Sequence, residues 1–511
     1  MAQLSRRDFL KLAAMAPAAL AFSQTIMPSP LGTNSPNFIV LVFDAMSADN
    51  LSLYGYPRKT TPNIERLAQR SNVYHSHYSA GSFTTSGTAS LLTGLYPWTH
   101  RAIDEGGQVA SAFAQKNIFS LFGKSYDRAG FGQNVWAELL LGEFRSNLDV
   151  HLPPGAFSIR EQLGGSLFPR DTPVSYYAYD DFLYRLGDSP NSLIFGLLDR
   201  FVFGYRLRSI STDGYPSNDK SVENYLNIPH SDNYKIYYKL EDIFRGLLSQ
   251  IQRLEQPFLA YFHLWSPHAP YAPRQEFIEL FKQDGLNPTK KPKHPLGDQL
   301  SVDTMNYARL LYDAYVANVD WEFGKFLDEL TATGILDKAY FVLTSDHGEM
   351  FERGITGHEN PLMYDPGLHI PLLVSAPGQK TGSNIYSQTN SVDVLPTLLR
   401  VAEREIPIWA EGQLLPGFGG AEDNSRATFT VDAKLCSSFG RLSVASMAMR
   451  KNGYKLSYYL GYGKTDWFEL YNLQDDPEEL TDLFNKDVST SDIMKDELLT
   501  AFNKSSGPLR G

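Results

Sequence analysis

Cysteine is almost absent from this chain of 511 residues, where Cys436 stands alone. A single thiol excludes an internal disulfide and any metal cage built on cysteine sulfur, so a metal here has to sit on oxygen and imidazole. Cationic residues are also in deficit, with 46 Lys and Arg against 57 Asp and Glu for a net charge of −11. Taking away Arg6, Arg7, Lys11 and Asp8 with the first 21 residues deepens this to −13. No nucleic acid is expected as a partner, because neutralising phosphates takes a surplus of cations. Past residue 22 no apolar run reaches the roughly 18 residues that a membrane-spanning helix needs, so no transmembrane segment is expected in the mature chain. What is present is an ordinary globular composition, 42% apolar and 13% aromatic, and this excludes disorder and a collagen-like repeat.

The N-terminus addresses the compartment. Ser5-Arg6-Arg7-Asp8-Phe9-Leu10-Lys11 leads into the apolar run Leu12 to Phe22, which holds the small-residue site Ala19-Leu20-Ala21. A charged start, an apolar stretch too short to span a bilayer and a cleavage site are the parts of a signal peptide, expected over residues 1–21. The order resembles the twin-arginine export signal, which implies the twin-arginine machinery as a partner and a periplasmic or secreted protein. Residues 22–35, rich in Ser, Pro, Thr and Asn, read as a linker.

Unbroken apolar runs followed by polar residues mark buried parallel strands. They occur at Phe38 to Phe43 ahead of Asp44, Pro257 to Phe262 ahead of His263, Ala339 to Thr344 ahead of Asp346-His347, and Ile370 to Val374. Helical stretches alternate with them at Lys239 to Leu254, Tyr307 to Leu330 and Val392 to Val401, and Thr61-Pro62 reads as a helix start with Thr61 as its cap. This predicts an α/β fold with a mainly parallel sheet covered on both faces, over residues 36–426. Residues 101–254 are poorly marked and read as a variable insertion or lid, with Ser192 to Leu207 as a core helix or a cover over an apolar substrate. Past residue 427, Arg441 to Leu460 folds about Lys451-Asn452-Gly453, a hairpin signal, and Trp467 to Leu473 adds a strand. Residues 427–511 are expected to be a small α+β subdomain on an antiparallel sheet, with a polar tail.

Ligands in open α/β sheets bind outside the carboxyl ends of the strands, which makes Asp44, Asp346 and His347 candidate metal ligands. Asp49 to Tyr56, Thr84-Thr85-Ser86-Gly87-Thr88-Ala89-Ser90-Leu91-Leu92-Thr93-Gly94, Phe262 to Tyr271, Ser345 to Glu349, Gly357-His358 and Leu470 to Glu478 then follow in an order that resembles the sulfatase family of the alkaline phosphatase superfamily. That resemblance implies a three-layer α/β/α fold and an ester-cleaving enzyme with one divalent metal ion. It gives Asp44, Thr84, Asp346 and His347 to the metal and Thr84 to nucleophilic attack. His263 and His268 would flank the leaving group, and His358 would bind an ester oxyanion. His75, His77 and His100 read as structural.

Departures from the pattern carry chemistry. Members of that family open the nucleophile segment with Cys or Ser followed by x-Pro-x-Arg, and oxidise that residue to formylglycine. Here Thr84 leads, Ser86 and Thr88 replace Pro and Arg, and Ala45 replaces the second acid of a metal-binding pair. Cys436 lies outside any such motif, and Ser506-Gly507-Pro508-Leu509-Arg510 fits only its minimal form. A sulfated formylglycine hydrate expels sulfate through its second hydroxyl, which threonine lacks, whereas a phosphorylated threonine is resolved by in-line attack at phosphorus. The expectation is hydrolysis or transfer of phosphate esters in preference to sulfate esters. The ester would be small, glycan-borne or lipid-linked, and the metal manganese, calcium, magnesium or zinc. The alternatives are a sulfatase proper and an inactive binding protein of the same fold.

Overall fold

β1 (Asn37–Asp44) is buried at every residue and has parallel neighbours on both sides, β6 (Phe258–Pro267) and β7 (Ala339–Ser345). An unbroken apolar strand fits only there, where both of its faces are covered. Ile39, Leu41 and Phe43 point into one layer, with Phe43 against Phe244 and Phe323. Phe38 points into the other and packs on Phe122 and Tyr126. Each fully buried side chain of this size stabilises the fold by about 1.5–3 kcal/mol. The structure, a computed structural model, describes residues 35–157 and 238–507. The leader, residues 22–34 and Ser192 to Leu207 lie outside the described residues.

Beyond β6 the sheet continues in parallel through β4 (Asp127–Gly132) to β5 (Val150–Leu152). Beyond β7 it runs through β8 (Leu372–Ser375) and β2 (Asn72–Tyr74) to β9 (Ser383–Ile385), eight strands among the described residues. The sheet is mixed but mainly parallel. Two sequence expectations need correction here. The run at Ile370 to Val374 becomes β8 but lies antiparallel to β7. Between them the one helix is the four-residue Asp365–Leu368, so no crossover helix packs back across the sheet there. Residues 101–254, read as an insertion, supply β4, β5 and the helices Val135–Glu143 and Leu240–Ile251. β4 escapes recognition because its sequence, Asp-Arg-Ala-Gly-Phe-Gly, has no apolar run. Arg128 within it is satisfied by Asp149, at 2.8 Å.

The longest helix among the described residues, Val302–Ala332, lays Leu311, Tyr312, Tyr315, Val319, Phe323 and Phe326 along the sheet at helical spacing. It also reaches across to cap another helix. Pro62–Ala68 starts after Thr61 as expected, but Thr61 makes no capping bond. The carboxylate of Asp320 accepts from the amides of Asn63 and Ile64 at 2.9 and 2.8 Å instead.

β3 (His77–Tyr78) and β10 (Thr389–Asn390) form a short parallel ladder of their own. The last sheet is antiparallel, β11 (Thr428–Asp432), β12 (Ala445–Lys451), β13 (Tyr454–Leu460) and β14 (Trp467–Asn472) in sequence order. Asn452 and Gly453 join β12 to β13 with φ of +52° and +80°, the left-handed pair that a tight hairpin turn demands. The helix Val488–Ser505 closes the sheet with Met494, Leu498 and Phe502.

Candidate active site

Adjacent parallel strands finish side by side, so Asp44 at the end of β1 meets Asp346 and His347 just past β7. All three are buried. Asp44 Oδ1 is 3.4 Å from His347 Nε2, and Asp44 Oδ2 is 3.1 Å from the Nε2 of His263 on β6. Asp346 Oδ2 lies 3.6 Å from both of those imidazole nitrogens. One ligand atom each from Asp44, His263 and Asp346 falls within 4.8 Å of the others, a spread that one ion spans. Ala45, where a second acid would stand, adopts a left-handed φ of +58° and turns its amide to Asp346 Oδ1 at 3.2 Å.

Thr84 opens the ten-residue helix Thr84–Thr93, every residue of which is buried. The helix reaches the carboxylates because residue 87 is glycine. A Cβ at Gly87 would stand 2.2 Å from the carbonyl oxygen of Asp346. Thr84 Oγ1 sits 3.5 Å from Asp44 Oδ1 and 3.4 Å from His347 Nε2. Asn134, just past β4, donates from Nδ2 to Asp44 Oδ2 at 2.6 Å and faces Thr84 Oγ1 at 3.4 Å. Its own Oδ1 caps the helix Val135–Glu143 by accepting from Trp136, and the amide of Gln133 donates to the carbonyl of His263 at 2.8 Å. The turn is thereby tied to β6.

Two more imidazoles complete the cluster. The ring of His358 lies 4.2 Å from that of His347 and 4.8 Å from that of His268, centroid to centroid. His358 Nδ1 is 3.3 Å from both oxygens of the buried Glu349, and His268 Nδ1 donates to the carbonyl of Ala269 at 2.6 Å. Burial pushes the Glu349 carboxyl up to about 8, and it pushes the His358 imidazole well down, helped by the charges of His347 and His268.

The charge of the site is incomplete as built. Burial and the charge of Asp44 push Asp346 up. Burial acts the same way on Asp44 but is outweighed by the histidines around it, and the carboxyl stays well below its usual range. His347 goes up to about 9: burial opposes protonation, but the two carboxylates more than offset it. Asp346 Oδ2 is enclosed without any hydrogen-bond partner. A buried carboxylate oxygen left so is costly unless a cation meets it, and oxygen with imidazole is a donor set for divalent ions. The residues therefore fit a divalent cation. Nδ1 of His347 is 2.9 Å from the carbonyl of Gly348, and Nδ1 of His263 is 3.1 Å from the hydroxyl of Tyr261, so both rings are held with Nε2 inward.

Sequence reasoning groups Asp44, Thr84, Asp346 and His347, and these do meet. His268 and His358 lie beside them. His263, expected next to His268 at the leaving group, faces the two carboxylates instead, on a strand whose alternate side chains enter the site. Asn134 and Glu349 were not foreseen as site residues. Glu349 stands next to the recognised Asp-His-Gly, whereas Asn134 carries no signal beyond its capping role. His77 bonds Thr389 at 2.9 Å, and His100 bonds Ser90 at 3.0 Å. Cys436 is buried elsewhere, accepting from the amides of Ser443 and Val444.

Residues 36–186 and 202–403 match the sulfatase family profile. The chain belongs to the sulfatase family. Residues 356–504 also match the C-terminal region of N-sulphoglucosamine sulphohydrolase. Residues 3–23 match the twin-arginine translocation pathway signal sequence, consistent with a periplasmic or secreted protein. No helix among the described residues is long and apolar enough to cross a membrane. This sulfatase-family hydrolase is 23% identical to the choline-sulfatase of Rhizobium meliloti, over 88% of this chain and 83% of that one. It is also 23% identical to the arylsulfatase of Clostridium perfringens, over 88% and 91%. The phosphonate monoester hydrolase of Agrobacterium radiobacter shares its fold, with a TM-score of 0.66 at 18% identity over 92% and 96% of the two chains. The family's members are ester hydrolases and in general use a divalent metal.

Proposed function

We propose that this sulfatase-family hydrolase cleaves phosphate esters outside the cytoplasm with an unmodified Thr84 as nucleophile. The observation that carries the reading is the surroundings of Thr84, whose Oγ1 is 3.5 Å from Asp44 and 3.4 Å from His347 at the first turn of a buried helix. The identity of the residue supports phosphorus over sulfur. Its hydroxyl is on a secondary carbon, so oxidation cannot give the aldehyde that formylglycine chemistry needs. Cys436, the one thiol, is bound into a loop of the C-terminal sheet.

Asp44, His263, Asp346 and His347 would hold a divalent cation, with Thr84 beside them, and when bound it supplies charge that acidifies a hydroxyl and neutralises phosphoryl oxygens. The mixed donor set suits manganese, calcium, magnesium or zinc. Asp44 Oδ1 is the acceptor that the Thr84 hydroxyl faces. Thr84 Oγ1 attacks phosphorus in line, and the bond from phosphorus to the alcohol oxygen breaks. His268, tied at Nδ1 to a carbonyl, carries on Nε2 the proton that the departing oxygen takes. His358, held at Nδ1 by Glu349, offers Nε2 to a non-bridging oxygen, and the helix start adds backbone N–H groups. Water, or an acceptor alcohol, then attacks phosphorus and frees Thr84. Small molecules, glycans and lipid headgroups all supply such esters.

Sulfate ester hydrolysis is the second reading, favoured by the match to the sulphohydrolase C-terminal region and by the curated relatives. One preparation tested on an aryl phosphate, a phosphodiester, a phosphonate monoester and an aryl sulfate separates the two. Phosphorus esters should turn over faster, and acid quenching should trap one phosphoryl group on the peptide that spans Thr84. Faster sulfate turnover would replace the first reading with the second.

A further inference from the structure

The loop between β11 and β12 brings a lysine to Phe83, the residue before the nucleophile. β11 ends at Asp432, whose Oδ2 accepts from the hydroxyl of Ser82 at 2.8 Å, two residues before Thr84. Lys434 follows, and its Nζ lies over the ring of Phe83, 4.8 Å from the centroid. Phe83 is the residue immediately ahead of the Thr84 helix. An ammonium from the C-terminal sheet therefore rests on the residue that leads into the nucleophile helix.

Its bonding capacity is not used up there. The nearest acid is Asp432, but Nζ to Oδ2 is 3.6 Å, too long for a hydrogen bond. Asp432 is already engaged by Ser82 on one oxygen and by the backbone amide of Lys434 on the other, at 3.0 Å. An ammonium has three donors. The side chain is only 18% exposed, packed down on Phe83 rather than extended into solvent, so little rotamer entropy remains to be lost when it meets a ligand. The loop itself is held in place. Cys436 anchors its base through Val444, and Arg101 donates to the carbonyl of Gly440 at 2.9 Å from the side of the nucleophile helix.

We infer that Lys434 is a specificity residue: it binds an anionic group, a carboxylate or a second phosphate or sulfate, carried on the alcohol part of an ester whose phosphoryl group lies at Thr84. The inference rests on the phosphoryl position given above. A group seated at Thr84 lies one residue past Phe83, over whose ring the ammonium rests. A lysine that only balanced Asp432 would not discriminate among alcohols.

The test uses the mature full chain in two arms. In the first, binding of phosphonoacetate and of methylphosphonate, neither of them an ester, is measured by calorimetry. In the second, kcat and KM are measured for 4-nitrophenyl phosphate and for its ring-carboxylated analogue. The carboxylated member of each pair, which carries the second anionic group, should be favoured about tenfold by the wild type, chiefly in Kd and KM. Lys434→Met should erase that preference, read as the ratio between the two members of each pair, while Lys434→Arg should retain most of it. An equal preference in wild type and Lys434→Met overturns the inference, and so does the absence of any preference in the wild type. The binding arm needs no turnover. If Thr84→Ala keeps full activity, the nucleophile assignment fails while the phosphonate comparison still judges Lys434. If neither phosphonate binds, both readings fall.

Discussion

At the base of the C-terminal sheet, Arg450 and Lys455 each reach Asp365 at 2.7 Å, and Lys455 also pairs with the buried Glu479. At the carboxyl ends of the central strands of the large sheet, Asp44 and Asp346 are fully buried, yet among the described residues their ion-pair partners are all histidines. Burial works against the Asp365 carboxylate, but the two cations win and hold it far below its ordinary range. The Asp346 carboxyl goes the other way, raised by burial and by Asp44. One cluster balances its charge, two acids against two bases, and serves the docking of β12 and β13 on the Asp365 turn. The other has an enclosed carboxylate oxygen with nothing on it, and is completed only from outside the chain. Buried charge is thus a guide to function when its partners do not add up.

Breaking the balanced cluster should have the largest effect. Lys455→Met leaves the buried Glu479 without its ion-pair partner and Asp365 to Arg450 alone, and should cost about 3–5 kcal/mol in urea unfolding. A loss under about 1 kcal/mol would mean the cluster is wetter than its burial implies. Thr84→Ala should do the reverse. It should lower kcat at least about a hundredfold, roughly 2.7 kcal/mol in the barrier, with an unchanged urea midpoint. Retained turnover would remove Thr84 from the chemistry.

Chelation sharpens the comparison from the other side. It should abolish activity and lower unfolding stability by about 2–3 kcal/mol, since a ligand bound only by the native state stabilises it. Asp346→Asn should melt identically with and without chelator, and no lower than the chelated wild type, because one of two facing carboxylates is gone. Full activity after exhaustive chelation would refute the metal site. Cys436→Ser should be the smallest change, about 1 kcal/mol or less, with turnover unaffected. A large loss of activity there would reopen the thiol as a functional group.

The apolar runs at β1, β6 and β7 and the Asn452-Gly453 turn are legible in the sequence because they report on neighbours a few residues away. A strand buried on both faces must be apolar throughout, and a tight hairpin must place residues at positive φ. The ordered segments from Asp44 to Glu478 likewise carry the family, and with it Asp44, Thr84, Asp346, His347 and His358. What periodicity cannot report is convergence between distant segments. Asn134 reaches Asp44 across 90 residues, Asp320 caps the helix at Pro62 across 256, and Lys434 comes to Phe83 from another sheet.

The choice between His263 and His268 is of the same kind. Both lie in one short segment that ends a strand, and composition treats them alike. The sheet register sets His263 against Val42 of β1, two residues short of Asp44, so its imidazole turns toward the carboxylates, while His268 lies past the end of β6 beside His358. Local sequence determined the strands, the turn and the list of reactive groups. Strand register and sheet order, set by packing over hundreds of residues, decided which of those groups share one pocket.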